Sequence, residues 1–365
     1  MTSEASPTGL PPELSEGPGP IRRFVLPGLF IIALAVALFM RRPDADVNVP
    51  FWKLQGEIFG TTYVVKIVPG DSKVNQDSLK DEIDAELAAV DLVMSTYKDD
   101  SELSKFNSSK SVEPVKISKE LATVLEEALA VTSLTQGAFD ITVGPVVNLW
   151  GFGPDKTLKE PSAEALDEAR GRVGSDRFTL DMKKLTLQKH DARVYIDLSA
   201  IAKGYAVDRV GELLKKHKLS SYMVEIGGEI RARGKNPKGI PWQLGVERPH
   251  NAPTQEVALI VPLDGLSMAT SGNYRNFYLR ADGSKVSHAI DARTGEPVAH
   301  PFSSVTVLHE DCVTADALAT GLFVLGAADG LKIAEANNLA VLFVEPDGDT
   351  FKTQASSTFP KFRTK

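Results

Sequence analysis

The sequence predicts an α+β fold with mixed or antiparallel sheets and packed helices, preceded by one N-terminal transmembrane helix. Short runs of β-branched and aromatic residues recur along the chain, several of them separated only by turn residues, as in hairpins. Segments with apolar residues at helical spacing stand between these runs. Alternating strands, hairpins and helices of this kind are typical of α+β proteins. The transmembrane helix is predicted from a separate apolar segment near the N-terminus.

Length, charge and cysteine content narrow the classes of function. A chain of 365 residues, 42% of them hydrophobic, can bury a sizeable core in one large or two medium domains. The formal net charge of -7 disfavours nucleic-acid binding, which normally needs a basic excess. The single cysteine, Cys312, allows no internal disulfide and no cysteine-rich metal site. We therefore expect no nucleic-acid partner, and we expect any phosphate group to be bound locally.

The N-terminal 50 residues are predicted to lie outside the folded domain. Residues 1–20 are rich in proline, glycine, serine and glutamate, which predicts a disordered tail. Residues 21–42 are predicted to form a transmembrane signal anchor, because the run 24–40 carries no charge and arginine pairs flank it. A cleaved signal peptide is the competing interpretation, but the sequence after the run is a poor cleavage site. The arginines on both sides leave the orientation open. Residues 43–50 are predicted to be a linker.

Residues 51–352 are predicted to form the folded domain, and residues 353–365 a C-terminal tail. In chain order, helices are predicted where apolar residues recur at steps of three or four, at 78–94, from near Ser118, and at 156–172, 202–214 and 314–325, the last capped by Thr314. Strands are predicted where β formers cluster between turn signals, at 52–58, 61–68, 178–190, 192–196, 221–226, 230–233, 242–247, 257–261, 265–270, up to Tyr278, 286–291, 305–309 and 340–344.

Several connections carry predictions of their own. The polar stretch 95–107 is typical of a solvated connector. The apolar, aromatic stretch 137–153 is too apolar to leave exposed, so it either packs inward or lines a pocket for a flat ring. Residues 271–274 predict a turn. The segments 230–233 and 242–247 are expected to pair with each other as neighbouring strands.

The stretch from Val194 to Asp208 is the first candidate for a functional site. Its β-rich start predicts a strand that leads into a helix, with Asp197 and Lys203 at the junction. A helix start offers free backbone N–H groups and a positive dipole end, so the junction suits a phosphate-bearing ligand. An ordinary strand-to-helix turn with a surface lysine explains the same residues, and this stretch alone leaves both interpretations open.

Two further segments could carry chemistry. Asp316 and Thr320 are four residues apart and so share one face of an otherwise apolar helix. A carboxylate and a hydroxyl suit Mg²⁺, although a helix-dipole charge and a local hydroxyl bond explain the pair as well. His288 could act as a general base or hold a phosphate, but a lone strand histidine is more often simply packed.

Read together, these segments resemble the FAD:protein FMN transferase (ApbE) family. The resemblance covers residues 55–345 approximately, in the order of the family's motifs. The matching stretches are Gly60 to Tyr63, Ser95 to Tyr97, Ser101 to Asn107, Gly137 to Asp140 with Gly144-Pro145, Asp197 to Gly204, Glu225 to Glu229, Thr270 to Gly272, His288 to Gly295 and Asp316 to Thr320. It implies an ApbE or T-fold-like architecture and makes residues 51–352 an FMN transferase catalytic domain.

The resemblance also implies a reaction and a set of site residues. Members of the family cleave FAD at its pyrophosphate, attach FMN to a threonine or serine of a target protein through a phosphoester bond, and release AMP with the help of Mg²⁺. Asp316, Thr320 and the carbonyl of Ala200 would be the metal ligands. Lys203 and Asp197 would hold FAD, and His288 would assist the attacking hydroxyl together with the metal at Asp316. The flavin nucleotide site would be lined by Phe59, Tyr97, Ala138, Phe139, Asp140 and Ile290.

The sequence departs from the family pattern at its N-terminus, and two other functions remain possible. Many relatives carry an acylated N-terminal cysteine, which this sequence lacks, so the segment 24–40 would anchor the chain in the cell inner membrane. The catalytic domain would then face the periplasm and modify a membrane-associated redox protein. An FAD pyrophosphatase that gives FMN and AMP would need the same metal and lysine. A non-catalytic flavin-binding protein would have no need of them.

Overall fold

The computed structural model describes residues 49–153, 160–248, 256–272, 277–280, 285–299, 303–347 and 350–364. Residues 49–365 belong to one compact unit. The predicted disordered tail, the predicted transmembrane anchor and most of the predicted linker lie outside the described residues.

The described part of the chain contains seven α-helices, one short 3₁₀ helix (Ser175–Arg177) and eighteen strands. The helices are α1 (Gln76–Met94), α2 (Glu102–Ser108), α3 (Lys119–Leu134), α4 (Gly144–Leu149), α5 (Ala163–Arg170), α6 (Ala202–Lys216) and α7 (Cys312–Ala336). The strands are β1 (Trp52–Ile58), β2 (Thr61–Ile67), β3 (Val115–Lys116), β4 (Phe178–Asp181), β5 (Thr186–Lys189), β6 (Tyr222–Ile226), β7 (Glu229–Arg233), β8 (Trp242–Glu247), β9 (Val257–Leu263), β10 (Leu266–Gly272), β11 (Phe277–Leu279), β12 (Lys285–Ser287), β13 (Ile290–Asp291), β14 (Glu296–Pro297), β15 (Ser304–His309), β16 (Ala340–Asp347), β17 (Thr350–Ala355) and β18 (Arg363–Thr364).

An eight-stranded sheet in the order β1-β2-β6-β7-β10-β15-β16-β17 forms the centre of the fold, and its neighbouring strands all run antiparallel. Its central strands are buried on both faces. In β6, for example, Tyr222 and Val224 join the core under the helices, whereas Met223 joins the core under a second sheet. Because side chains alternate along a strand, this division produces three layers: helices, the large sheet and a small sheet. The α+β prediction is confirmed.

The small sheet, in the order β18-β9-β8, corrects one predicted pairing. We expected 230–233 and 242–247 to pair, but β7 pairs with β6 and β10, while β8 pairs with β9. The two segments instead face each other through the core between the sheets, where Ala232 and Trp242 are both buried. The C-terminal residues are also more ordered than the predicted tail, because β17 and β18 each join a sheet.

The helix α7 runs through the core. It is long and apolar enough to cross a membrane by length and composition, but half of its apolar window is buried in the fold, as in the core helix of a globular domain. Its chain departs from helical geometry at Gly326, where φ is 78°. We predicted a cap at Thr314, but the helix begins at Cys312, and the Thr314 hydroxyl donates a hydrogen bond to Glu127 on α3 (2.7 Å).

The starts of α6 and α7 cap each other. In neither helix does the side chain at the N-cap position accept a hydrogen bond from the backbone of the first turn. Instead, the Gly204 N–H of α6 donates to Asp316 of α7 (3.0 Å), and the Val313 N–H of α7 donates to Asp208 of α6 (2.9 Å). Each aspartate thus satisfies a backbone donor at the other helix's positive end. The two helix starts are thereby held side by side.

Residues 194–196 do not form the predicted strand, for a local reason. The Asn107 side chain accepts a hydrogen bond from the Ile196 N–H (2.9 Å) and donates one to the Ile196 carbonyl (2.8 Å). An asparagine therefore takes the place of a neighbouring strand. Asn107 lies on α2, a helix within the stretch that we predicted to be a solvated connector; Ser101 caps it by accepting from the Ser104 N–H.

A buried lysine supports this asparagine. Lys189 on β5 is only 1% exposed, and its ammonium donates to the carbonyls of Asn107 (3.0 Å) and Ser109 (2.8 Å). The ammonium also lies 4.8 Å from the centroid of the Phe106 ring, within range of a cation–π contact. Burial, together with the charge of Lys110, lowers the pKa of Lys189 to about 8. The position of the Ile196 backbone thus depends, through Asn107, on Lys189 of β5.

Replacing Gly204 with alanine should destabilise the contact between α6 and α7. A Cβ at this position would lie 2.3 Å from the Cys312 carbonyl oxygen, a backbone atom that cannot turn away. We expect a loss of about 1–3 kcal/mol in the free energy of unfolding, measured by denaturant titration.

The matched control is Gly211→Ala in the same helix. There the Cβ would meet the flexible side chain of Arg231 at 3.0 Å, and alanine favours helix by about 1 kcal/mol over glycine. We expect Gly211→Ala to stay within about 1 kcal/mol of wild type. Equal losses for the two variants would contradict the role given to Gly204.

Replacing Lys189 with methionine should change how stability depends on pH. The pKa of Lys189 is about 8 in the folded protein, against an ordinary value of 10.5. Between these values the unfolded chain binds more protons, so the wild type gains stability as the pH rises, by up to about 1.4 kcal/mol per pH unit. The methionine variant lacks this gain. The free energy of unfolding of both proteins is measured at pH 8, 9 and 10. The stability of the wild type relative to the variant should increase with pH.

Candidate functional site

A cleft of about 920 Å³ opens where the starts of α6 and α7 meet the large sheet. Eleven of the twelve residues that the sequence singled out line it, although they come from distant parts of the chain. These residues are Tyr97, Ala138, Phe139, Asp140, Asp197, Ala200, Lys203, His288, Ile290, Asp316 and Thr320. Strand ends and helix starts converge here, an arrangement in which backbone N–H groups and charged side chains can reach a common ligand.

Phe59 is the exception. It lies in the turn between β1 and β2 with a φ of 53°, and it packs against the main hydrophobic core rather than lining the cleft. The neighbouring residues Thr61 and Thr62 line the cleft instead.

Three charged groups lie together at the base of the cleft. The Lys203 ammonium is 2.7 Å from Glu229 Oε2 and 3.9 Å from Asp316 Oδ1. Both acids are nearly inaccessible, with 4% of Glu229 and 3% of Asp316 exposed, whereas 28% of the lysine side chain is exposed. The group therefore presents a cation to the cleft and keeps its two acids behind or beside it.

The protonation of these groups follows from burial and from one another. Burial alone would lower the pKa of Lys203, but the charges of Asp316 and Glu229 outweigh it and raise the pKa above its ordinary value. Lys203 therefore stays protonated at neutral pH. Burial raises the pKa of Glu229 to about 7, with the lysine acting in the opposite direction, and burial likewise raises the pKa of Asp316.

The oxygen atoms around Asp316 fit a hard cation. One carboxylate oxygen accepts from the Gly204 N–H, so the other, Oδ1, is the one directed towards Lys203. One helical turn later, the Thr320 hydroxyl lies 3.1 Å from the Ser271 hydroxyl of β10. Ala200, in the turn before α6, lines the same cleft. A carboxylate, a hydroxyl and a carbonyl are the donors that Mg²⁺ accepts, with waters and phosphate oxygens completing its six positions.

No cluster of three or more His, Cys, Asp or Glu side chains that could hold a metal exists among the described residues. A site built from such side chains alone, as for zinc, is therefore absent from this part of the chain. The set around Asp316 contains one carboxylate, which agrees with the usual preference of Mg²⁺ for one or two carboxylates plus a phosphate-bearing ligand.

The apolar side of the cleft comes from the stretch 137–153, which both packs inward and lines the pocket. Ala138, Phe139 and Ile141 are buried in the core under the helices. Asp140 is buried as well, and its Oδ1 accepts hydrogen bonds from the Thr142 N–H (2.8 Å) and hydroxyl (2.6 Å). Burial raises the pKa of Asp140. At the opening, the Tyr97 ring is 64% exposed and available to cover a bound ring system.

Asp197 and His288 lie on other walls of the cleft. Asp197 is held by its own backbone, since its N–H donates to the Ile141 carbonyl (2.7 Å) and its Oδ1 accepts from the Ser199 N–H (2.8 Å). The His288 ring packs edge-on against Phe152, with 6.3 Å between the ring centroids. His288 follows directly after β12 and is half-buried, so it is accessible from the cleft without being a core residue.

Sequence analysis missed two residues with direct roles in this geometry. The sequence analysis includes Glu229 only at the end of a matching stretch and gives it no role, yet its carboxylate lies closer to Lys203 than that of Asp316 does. Ser271 was read as part of a turn, but it belongs to β10 and contacts Thr320; the other half of that predicted turn lies outside the described residues. An acid directly after two glycines at a strand start is the signal that could have identified Glu229.

Comparison with known proteins gives one consistent result. A family model described as the ApbE family matches residues 59–343. The chain is 46% identical to an FAD:protein FMN transferase of Haemophilus influenzae over 336 residues, which cover 91% of this chain and 96% of the relative. It is 38% identical to an FAD:protein FMN transferase of Escherichia coli over 312 residues, which cover 85% and 88%.

Solved structures agree with these relatives. The flavin transferase ApbE from Vibrio cholerae superimposes with a TM-score of 0.78 at 42% identity, covering 85% of this chain and 98% of that one. The flavinyl transferase ApbE from Pseudomonas stutzeri, in its apo form, superimposes with a TM-score of 0.77 at 36% identity, covering 85% and 95%.

Proposed function

The chain belongs to the ApbE family, and on that premise we propose that it is an FAD:protein FMN transferase. The finer proposal is that it cleaves FAD at the pyrophosphate in the presence of Mg²⁺ and attaches FMN to a threonine or serine of a target protein. The observation that carries it is the cleft itself, where Lys203, a helix start and the oxygens of Asp316 and Thr320 face one cavity.

The cleft offers suitable surfaces for the flavin ring and for the diphosphate of FAD. The stretch 138–140 and Tyr97 offer apolar and aromatic surface for the flavin ring, and the α6 start with Lys203 offers positive charge for the diphosphate. Asp197 and Ile290 contribute further contacts from the walls. Phe59 packs against the core in the turn before Thr61 and does not line the cleft, so its contact with the flavin nucleotide stays a prediction.

Asp316, Thr320 and the carbonyl of Ala200 would hold Mg²⁺. When bound, the ion neutralises negative charge on the diphosphate. The protein's own task is to position the reacting groups, because phosphoryl transfer depends mainly on alignment and charge stabilisation. Lys203 adds a second positive charge that is fixed before the substrate arrives, since its pKa is raised and it is protonated at neutral pH.

The bonds that form and break in the proposed reaction indicate a role for His288. The acceptor hydroxyl forms a new O–P bond with the FMN phosphorus, and the P–O bond to the AMP phosphate breaks. The hydroxyl proton must leave during this exchange, because a serine or threonine hydroxyl is a weak nucleophile. We assign its removal to the His288 imidazole, the one histidine among the residues that line the cleft. AMP leaves with the bonding electrons of the broken bond.

The test is a transfer assay with the purified protein, FAD, Mg²⁺ and a protein that bears the acceptor residue. We expect covalent flavin on the acceptor, detected by mass, together with stoichiometric AMP. AMP and free FMN without covalent flavin would instead indicate an FAD pyrophosphatase. Bound, intact FAD without AMP would indicate a flavin-binding protein.

Asp316→Asn should abolish transfer while the protein stays folded. The asparagine oxygen can still accept from the Gly204 N–H, and a buried neutral amide costs less than a buried carboxylate, so unfolding stability should equal or exceed that of wild type. Asp329→Asn on the exposed part of the same helix is the matched control and should keep full activity. Transfer by Asp316→Asn at the wild-type rate would refute the metal assignment.

We further propose that residues 24–40 anchor the protein in the inner membrane, with the catalytic domain in the periplasm and a membrane-associated redox protein as target. The support is the charge-free apolar run of the sequence. Added protease should digest the domain in spheroplasts of the host cell and leave it intact in unbroken cells. Protection in spheroplasts would place the domain on the cytoplasmic side.

A further inference from the structure

The base of the cleft contains an acid that the proposed reaction does not use. Glu229 is 4% exposed and lies at the start of β7, and its Oε2 is 2.7 Å from the Lys203 ammonium. Asp316, the proposed metal ligand, lies farther from the same ammonium, at 3.9 Å. The lysine therefore lies between two buried acids and is closer to Glu229 than to the proposed metal ligand.

We propose that Glu229 is a positioning residue that keeps Lys203 off the metal site. Two buried carboxylates compete for one ammonium, and a buried charge without a partner is costly. If Glu229 is absent, Asp316 is the remaining acid within reach of the lysine. The ammonium would then pair with Asp316 Oδ1, the oxygen that a divalent cation needs, and the cation would have to displace it.

The backbone around Glu229 supports this assignment. Gly227 and Gly228, directly before it, have φ values of 58° and 106°, which favour glycine. A Cβ on Gly227 would lie 3.3 Å from Lys203 Cδ and 2.9 Å from Thr61 Cγ2. The glycine turn thus packs against the aliphatic part of the lysine while Glu229 holds its end. Together they direct the ammonium to one side of Asp316.

The inference rests on the proposed metal site, and its test measures metal binding rather than turnover. Mn²⁺, which can replace Mg²⁺ at oxygen sites, is titrated into the purified protein, and free Mn²⁺ is followed by electron paramagnetic resonance. Four proteins are compared: wild type, Glu229→Gln, Lys203→Met and the double variant. Each must first show a cooperative unfolding transition like that of wild type.

We expect Glu229→Gln to weaken Mn²⁺ binding about tenfold, because the ammonium now occupies Asp316. Lys203→Met should have a small effect in the wild-type background, but should restore the affinity by about tenfold in the Glu229→Gln background. If Glu229→Gln weakened Mn²⁺ binding only by removing a charge, the effects of the two substitutions would add. A non-additive result therefore indicates that the ammonium and the cation compete for Asp316. Glu229→Asp, which keeps the charge, should restore part of the affinity.

Two outcomes would overturn the inference. Additive effects, in which Lys203→Met does not rescue the weakened Glu229→Gln, would mean that Glu229 acts through its charge or as a ligand of the cation and not by holding the lysine. Absence of Mn²⁺ binding by wild type would remove the metal site itself and this inference with it, whereas covalent flavin transfer in the separate assay would still establish the proposed activity.

Discussion

The reciprocal capping of α6 and α7 is the interaction on which the site depends. Asp316 satisfies the Gly204 N–H and Asp208 satisfies the Val313 N–H, so each helix completes the other's first turn. Two positive helix ends would repel each other without these acids between them. With the acids in place, the pair can lie close together, and the closeness of Gly204 to the Cys312 carbonyl shows that no larger residue fits there.

This constraint gives Asp316 two tasks at once. One oxygen serves the fold through Gly204, and the other faces Lys203 and the cleft. The carboxylate is thus fixed in orientation before any ligand arrives, at the cost of burying its charge. Lys203 reduces that cost through its positive charge, which it shares with Glu229, the nearer of the two acids. Stability and binding therefore share the same atoms.

Much of the fold and most of the candidate site could be predicted from the sequence. Helices with clear apolar spacing, such as α1, and strands with dense β formers, such as β16, lie close to their predicted bounds. The site residues were identified by resemblance to a family, and eleven of them line one cleft. From residue spacing alone, Asp316 could equally be a helix-dipole charge and Lys203 a surface lysine.

The failures share a physical cause, which is that a distant side chain decided the local structure. Residues 194–196 have the composition of a strand, but Asn107 occupies their backbone groups. Glu229 gains its importance only from its distance to Lys203. No local pattern contains these contacts.

The two capping pairs also bear on how the chain is made. Gly204 and Asp316 are 112 positions apart, and Asp208 and Val313 are 105 apart. A ribosome must therefore synthesise most of the polypeptide before either helix start finds its partner, and contacts of such long range form slowly. The two helix starts therefore stay uncapped until late in synthesis, and the base of the cleft forms only after most of the chain has been made.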